Sequence, residues 1–315
     1  MLDEIDDEFR LAGMDQAVAS GNTPPIFDWL LTAFSFQGIS DQVARSYMEK
    51  HGTASWAKME ASLQTSPSCQ KLQTYSDYGS CRYDKGSFTC AEPDHIDSCP
   101  VPRPKLRNGR LNQTAYSLFL FVRDIAGGDL IGWIDSQLEA ATGSSEADLE
   151  ATRQEALIGP LRGVFGVADK VLTNALSWLL IGARKQRPIW FETGKAMVVI
   201  DRLVHHHLVR TGILEKCGIP HRYGPGCYAE GGCAEIIRSA AERIDASSFN
   251  PAFPKIFPRF VQHAIWSFCA ADGLDLCNGN RIFDSEPCQI SYCYLFRICE
   301  KKALNLHNFK YLRYS

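Results

Sequence analysis

The sequence predicts an all-α protein. Apolar residues recur at helical spacing along most of the 315-residue chain, and regular alternation of apolar and polar residues, which is typical of strands, is nearly absent. Polar or proline-bearing stretches separate the helical segments. The composition, 45% apolar and 22% charged, is that of an ordinary globular protein. The length allows one large domain or two modest ones that bury a proper core.

Charge and composition narrow the class of protein. A net charge of −3 argues against a uniformly basic surface for non-specific nucleic-acid binding, and we interpret the basic runs at 103–110 and 184–187 as solvated faces. No run of eighteen apolar residues is present, and the acidic start MLDEIDDEFR is unlike a signal peptide. We therefore expect a cytoplasmic monomer with no membrane contact, nucleoid-associated if the source is bacterial. Disulfides are rare in that compartment, so the twelve cysteines suggest metal or iron–sulfur ligation.

The first elements are predicted from residues 26–104. The stretch IFDWLLTAFSFQGISDQVARSYMEKHG predicts two helices separated near Gly38, with Ser40 as the N-cap of the second. Residues 66–104 are polar and irregular, so they need something other than an apolar core to order them. This insertion contains four cysteines at spacings too long for a usual zinc knuckle, and we predict a second bound metal there. The predicted ligands are Cys69, Cys81, Cys90 and Cys99, with His95 nearby.

The stretch LRGVFGVADKVLTNALSWLL, residues 161–180, predicts a helical hairpin. One helix ends, the chain turns around Gly166, and a new helix begins near Asp169. Backbone N–H groups at such a helix N-terminus can bind a phosphate oxygen. An ordinary tight turn between two helices is the alternative interpretation of this segment taken alone.

The next helix carries three consecutive histidines in VVIDRLVHHHLVRTGI, residues 198–213. Successive side chains of a helix are turned by about 100°, so three adjacent histidines cannot close on one metal ion. We expect His207 at the edge of the core and both His205 and His206 facing outward. Asp201 begins the helix, where an aspartate is most often an N-cap. Further on, SSFNPAFPKIFPRF contains three prolines and predicts a loop before the next helix.

Taken together in this order, the hairpin and the aspartate helix resemble the helix-hairpin-helix DNA glycosylase superfamily, the relatives of endonuclease III and 8-oxoguanine glycosylase. The family pattern runs Leu-Pro-Gly-Val-Gly-x-Lys, then Val-Asp-x-x-Val, then Arg-x-Gly-Leu. VFGVADKV places Gly166, Val167 and Lys170 on the hairpin positions, with Ala168 in place of the second glycine. The aspartate helix aligns without a gap, and the segment around Gln37 resembles the first helices of the family. The aligned positions of that helix are Ile200, Asp201, Val204, Arg210, Gly212 and Ile213.

The resemblance implies two helical domains with a helix-hairpin-helix motif and an active-site cleft between them. The first domain would span residues 22–199 and contain the insertion at 66–104. The second would combine residues 1–21 with residues 200–315. Double-stranded DNA with a damaged or modified base is the implied partner.

The resemblance also implies a role for each matched residue. Such enzymes flip the damaged nucleotide out of the duplex and cut the bond between base and sugar. Lys170 would be the nucleophile that forms a Schiff base and gives AP-lyase activity, and Asp201 would stabilise positive charge on the sugar. Gln37 would fill the gap left by the flipped nucleotide, and Gly166, Val167 and Ala168 would donate N–H groups to a phosphate.

The C-terminal cysteines extend the resemblance. Four of them follow a helix and Gly273 in a way that is similar to the family's approach to its iron–sulfur loop, although the first two gaps are longer. Four thiolates suit a [4Fe–4S] cluster, and zinc is the alternative. The predicted ligands are Cys277, Cys288, Cys293 and Cys299. A further set, Cys217, Cys227 and Cys233, lacks a fourth ligand, which His221 or Cys269 could supply.

Two alternative functions remain open from the sequence. The first is a DNA-binding protein on the same fold without catalysis, which the replacement at Ala168 favours. The second is an iron–sulfur or zinc metalloprotein with other chemistry, in which the hairpin is incidental.

Overall fold

A computed structural model describes residues 1–36, 41–64, 69–84, 86–102 and 111–304. These ranges contain fifteen α-helices and one short antiparallel pair of strands, β1 (Tyr83–Asp84) and β2 (Thr89–Cys90). The predicted all-α class is confirmed at the level of secondary structure. None of the helices in these ranges has both the length and the apolar character that a membrane span requires.

The chain divides into two compact units, residues 2–194 and the residues from 195 onward. The helices of the first unit are α1 (Leu2–Leu11), α2 (Met14–Ser20), α3 (Thr23–Ser35), α4 (Asp41–His51), α5 (Trp56–Gln64), α6 (Tyr75–Tyr78), α7 (Asn112–Asp124), α8 (Leu130–Ala140), α9 (Glu146–Leu161) and α10 (Asp169–Gly182). Helix α11 (Pro188–Ala196) crosses the boundary between the units. The helices of the second unit are α12 (Arg202–Thr211), α13 (Ile213–Cys217), α14 (Cys233–Ala241) and α15 (Pro258–Cys269).

The N-terminal helix belongs to the first unit, whereas the resemblance predicts that residues 1–21 join the C-terminal domain. Helix α1 packs against α10, where the Phe9 ring lies over Gly182 so closely that a Cβ there would be 2.2 Å from a ring carbon. Asp6 forms an ion pair with Arg184 at 2.6 Å. These contacts hold α1 on the first unit, and they join residues too far apart in the chain for periodicity to predict them.

Helix α7 is the centre of the first unit. Every residue from Asn112 to Val122 is buried, which is typical of a helix surrounded by other elements. Helices α3, α5 and α6 pack around it. On one side the rings of Phe27, Trp56 and Phe119 meet, with the Trp56 and Phe119 centroids 4.5 Å apart. Apolar and aromatic burial therefore dominates the core of this unit.

The second unit has a smaller apolar core. Helix α15 packs against both α12 and α14, and their buried side chains form one cluster that includes Val204, Leu208 and Ile237. The proline-bearing loop before α15 agrees with the prediction, since Pro258 is the first residue of that helix. Two cysteines, Cys227 and Cys233, are completely buried in the same cluster. The core of this unit therefore contains polar ligand atoms beside its aliphatic side chains.

Candidate functional site

The predicted hairpin is formed by α9, a turn over residues 162–168, and α10. Gly166 adopts a left-handed conformation with φ 76°, and Ala168 precedes α10 in an extended conformation that no side chain caps. Both residues are exposed. The turn is anchored from α7, because Thr114 Oγ1 donates to the Phe165 carbonyl at 2.6 Å and Phe165 N donates to Ser117 Oγ at 3.2 Å. The turn is thus fixed on one side and presents Gly166 and Ala168 on the other.

Lys170 lies in the first turn of α10 and is exposed. The neighbouring Asp169 pairs with Arg162 at 2.9 Å, so its carboxylate already has a cationic partner. Gln37 and the basic run at 103–110 lie outside the described residues. The run at 184–187 is ion-paired within the first unit, to Asp6 and Asp135.

Asp201 is the N-cap of α12, as the sequence predicts. Its Oδ1 accepts a hydrogen bond from Val204 N at 2.9 Å, and its backbone is extended with φ −103° and ψ −177°. The preceding residue is fixed as well, because Ile200 N donates to the Tyr228 hydroxyl at 3.0 Å. Burial lowers the pKa of Arg259 to about 10, and the charge of Asp201 opposes that shift. Asp201 belongs to the second unit and Lys170 to the first.

A group of two histidines and two cysteines, here called the Cys2His2 group, lies within the second unit. One ligand atom from each of His205, His221, Cys227 and Cys233 lies within 4.8 Å of the others. The exposed fraction is 9% for His221 and lower for the other three. The hydrogen bond from Cys233 lowers the pKa of Cys227 to about 3, with further contributions from the two histidines. The thiolate is the form of cysteine that binds metal.

A second group, here called the Cys2His group, consists of His207, Cys269 and Cys277. Its three ligand atoms also lie within 4.8 Å of one another, and all three residues are buried. The Sγ atom of Cys269 is 3.7 Å from His207 Nδ1. A hydrogen bond from Cys269 lowers the pKa of Cys277 to about 5. This group offers three ligands to one metal ion.

The four C-terminal cysteines predicted as cluster ligands line one cleft, here called the cysteine cleft. Cys277 reaches it from the Cys2His group, and Cys288, Cys293 and Cys299 line the rest. Burial raises the pKa of Cys299, and the other three thiols add to the rise, as expected for sulfur atoms that face one another. Lys301 N donates to Cys299 Sγ at 3.3 Å, a contact that is common around metal-bound thiolates. These cysteines are farther apart than the members of the two groups above.

The cysteine cleft also contains a buried cation. Arg210 is 1% exposed and lines the cleft, and its carboxylate partner is Asp284. Within the described part of the chain, its Nε and Nη1 atoms have no hydrogen-bond partner. A buried guanidinium with two unmatched nitrogens, which carry three N–H bonds, calls for an anion. Four thiolates around a zinc ion or around an iron–sulfur cluster carry net negative charge, so either centre fits the donor set and the cation. Cys277 can serve the cluster or the Cys2His group, and not both.

The insertion at residues 69–102 brings its four cysteines near one another. Burial raises the pKa of Cys99 to about 11, and the thiols of Cys90, Cys81 and Cys69 contribute. Glu92 N donates to Cys90 Sγ at 3.4 Å. In the described ranges these cysteines do not form a group within 4.8 Å, which an ion bound at about 2.3 Å from each sulfur would require.

The structure separates the three adjacent histidines, as helical geometry requires. His205 belongs to the Cys2His2 group and His207 to the Cys2His group, whereas His206 belongs to neither. The expectation that His205 faces outward is wrong, since only 3% of it is exposed. The loop at 219–233 covers that face of α12, and periodicity alone cannot reveal such a cover. One signal was present in the sequence: His221, Cys227 and Cys233 follow one another at equal intervals of six.

Comparison with known protein families, with curated proteins and with solved structures gives no match to this chain.

Proposed function

We propose that the protein is a DNA glycosylase that excises a damaged or modified base and then cleaves the strand by β-elimination. The observation that carries the proposal is the exposed hairpin turn between α9 and α10, with Lys170 in the first turn of α10 and Gly166 left-handed before it. The resemblance of this segment and of the Asp201 helix to the helix-hairpin-helix glycosylases supplies the chemistry.

In this proposal Lys170 attacks C1′ of a flipped nucleotide with its neutral amine. The glycosidic bond breaks, and the base leaves with the bonding electron pair and takes up a proton. The C1′–O4′ bond then opens, O4′ takes up a proton, and the amine holds the sugar as a Schiff base; loss of a proton from C2′ expels the 3′ phosphate and nicks the strand. Asp201 would stabilise the positive charge on the sugar and accept the proton of the attacking amine. The amides at residues 166–168 would bind a backbone phosphate.

The cysteine cleft would hold a [4Fe–4S] cluster in the same proposal. Cys277, Cys288, Cys293 and Cys299 are the proposed ligands, and Arg210 offsets the negative charge of the cluster. When bound, such a cluster orders the C-terminal loop, and we assign it no step in base excision. Iron and sulfide analysis of protein purified without oxygen, together with a visible band that bleaches with dithionite, tests this assignment. Zinc without iron would contradict it.

Borohydride trapping tests the function. Duplex oligonucleotides carrying uracil, thymine glycol, 8-oxoguanine or an abasic site are incubated with the protein, and covalent complexes are sought on a denaturing gel. We expect a complex with the wild type and none with Lys170→Gln, because an amide cannot form a Schiff base. Lys58→Gln, which changes an exposed lysine of the same unit, serves as the matched control and should trap normally.

A test of Asp201 requires a variant that separates its role as the N-cap of α12 from the role of its negative charge in excision. Asparagine is also a good N-cap, so Asp201→Asn keeps the bond to Val204 N and removes the charge. We expect a folded protein whose excision rate falls by about 10²- to 10⁴-fold. No covalent complex and no alkali-labile site on any substrate would overturn the proposal and favour the non-catalytic DNA-binding protein, a reading that Ala168 also supports.

A further inference from the structure

The Cys2His2 group draws its four side chains from separate elements of the second unit. His205 comes from α12, His221 from the loop after α13, Cys227 from a 3₁₀ turn at Pro225–Tyr228, and Cys233 is the first residue of α14. Four separate elements therefore bring one ligand atom each to within 4.8 Å of the others.

The distances within the group match those around one tetrahedral ion. Zinc binds sulfur at about 2.3 Å and imidazole nitrogen at about 2.0–2.1 Å, which places sulfur and nitrogen about 3.5 Å apart in a tetrahedron. Cys233 Sγ lies 3.3 Å from His205 Nδ1 and 3.4 Å from His221 Nε2, and Cys227 Sγ lies 3.6 Å from His205 Nδ1. The side chains are spaced as ligands of a shared centre.

The hydrogen bond of the His221 ring determines which of its two nitrogens can bind a metal ion. Its Nδ1 is 2.7 Å from the Ile219 carbonyl oxygen. A carbonyl only accepts hydrogen bonds, so Nδ1 carries the proton and the lone pair is on Nε2. Nε2 is the atom that faces Cys233. Metal-bound histidines are fixed by such a bond from the opposite nitrogen.

The loop between His221 and Cys233 is shaped by glycine. A Cβ on Gly232 would lie 2.4 Å from the Gly226 carbonyl oxygen, and one on Gly226 would lie 3.0 Å from the His221 ring. Gly224 and Gly231 adopt positive φ values of 148° and 68°. The chain can wrap this tightly around its cysteines because these positions have no side chain.

We propose that His205, His221, Cys227 and Cys233 bind one structural zinc ion. Two thiolates and two neutral imidazoles balance the double positive charge, and each thiol that is still protonated releases its proton on binding. A mixed sulfur and nitrogen tetrahedron is typical of zinc. All four positions are filled by buried protein ligands, so the site has no open position for substrate and its role is structural. The proposal does not depend on the glycosylase function.

Metal analysis of the full-length protein tests the proposal. We expect Cys233→Ser to contain one zinc ion fewer per chain than the wild type. Cys217→Ser is the matched control, because Cys217 is an exposed cysteine of the same unit outside the group, and its zinc content should equal that of the wild type. A Cys269→Ser variant accounts for any zinc held by the Cys2His group.

A second variant keeps the test valid if Cys233→Ser fails to fold. His221→Cys supplies a third thiolate and should retain the ion. With cobalt in place of zinc, we expect wild type to show the absorbance of a tetrahedral site with two thiolates, and His221→Cys to show stronger thiolate-to-cobalt charge transfer. The proposal is overturned by wild type that binds no metal, by a Cys227–Cys233 disulfide in peptide mapping, or by identical cobalt spectra for the two proteins.

Discussion

Helix α7 of the first unit buries eleven consecutive residues, from Asn112 to Val122, among aromatic and aliphatic neighbours. The second unit reaches comparable burial at His205, His207, Cys227, Cys233 and Cys269, all of which have atoms that bind metal. A buried imidazole or thiol gains little from the hydrophobic effect and must find a polar partner. The first unit is therefore stabilised by apolar burial, whereas the second contains Cys and His groups that could bind a metal ion and that we propose are completed by one.

Metal removal should show this difference most strongly. Apparent binding energies of structural zinc are about 10–16 kcal/mol in small zinc domains, as large as the stability of a whole domain. We expect chelation under reducing conditions to abolish amide hydrogen-exchange protection in α12 and α14. Helices α3, α7 and α10 should keep theirs. Equal loss of protection in both units would contradict the comparison.

A core truncation in the first unit should give the opposite pattern. Phe119 is 3% exposed and packs against Phe27 and Trp56, so Phe119→Ala should lower the free energy of unfolding by about 3–5 kcal/mol. Metal content should not change. Urea denaturation measures the free energy of unfolding. The control is Ile125→Ala, at a half-exposed position just after α7, which should lower that free energy by less than about 0.5 kcal/mol. Loss of metal from folded Phe119→Ala would show that the units are not independent.

The smallest expected effect concerns the bond between Tyr228 and the segment before Asp201. Tyr228→Phe removes the acceptor of Ile200 N and should destabilise the second unit by about 1 kcal/mol with zinc retained. Tyr292→Phe, at an exposed tyrosine of that unit, should have no measurable effect. If the proposed function holds, excision by Tyr228→Phe should also slow, because Asp201 loses one of its supports. If the unfolding curve of Tyr228→Phe equals that of the wild type, the hydrogen bond from Ile200 N does not stabilise the second unit.

Local features of the chain were accessible from the sequence, and tertiary contacts were not. The helix at residues 202–211, its Asp201 cap and the divergence of its three histidines follow from helical geometry, and the structure has all of them. The burial of His205 depends on a loop that returns from residues 219–233, and the place of α1 depends on Phe9 meeting Gly182. Neither contact leaves a periodic signal, because each joins residues that are far apart in the chain.

Helix α12 carries ligands for two groups on two faces, since His205 and His207 are two residues apart and point into different sets of cysteines. An ion at the Cys2His2 group, or the metal centre that takes Cys277 beside His207 and Arg210, would fix the same ten residues. The entropy cost of ordering this helix would therefore be met once for both centres. Loading of the two centres would then be cooperative, and partly loaded chains would be scarce at equilibrium. In a cell that makes this protein, a shortage of metal would then lower the number of fully loaded molecules. The other molecules would mostly lack both metals.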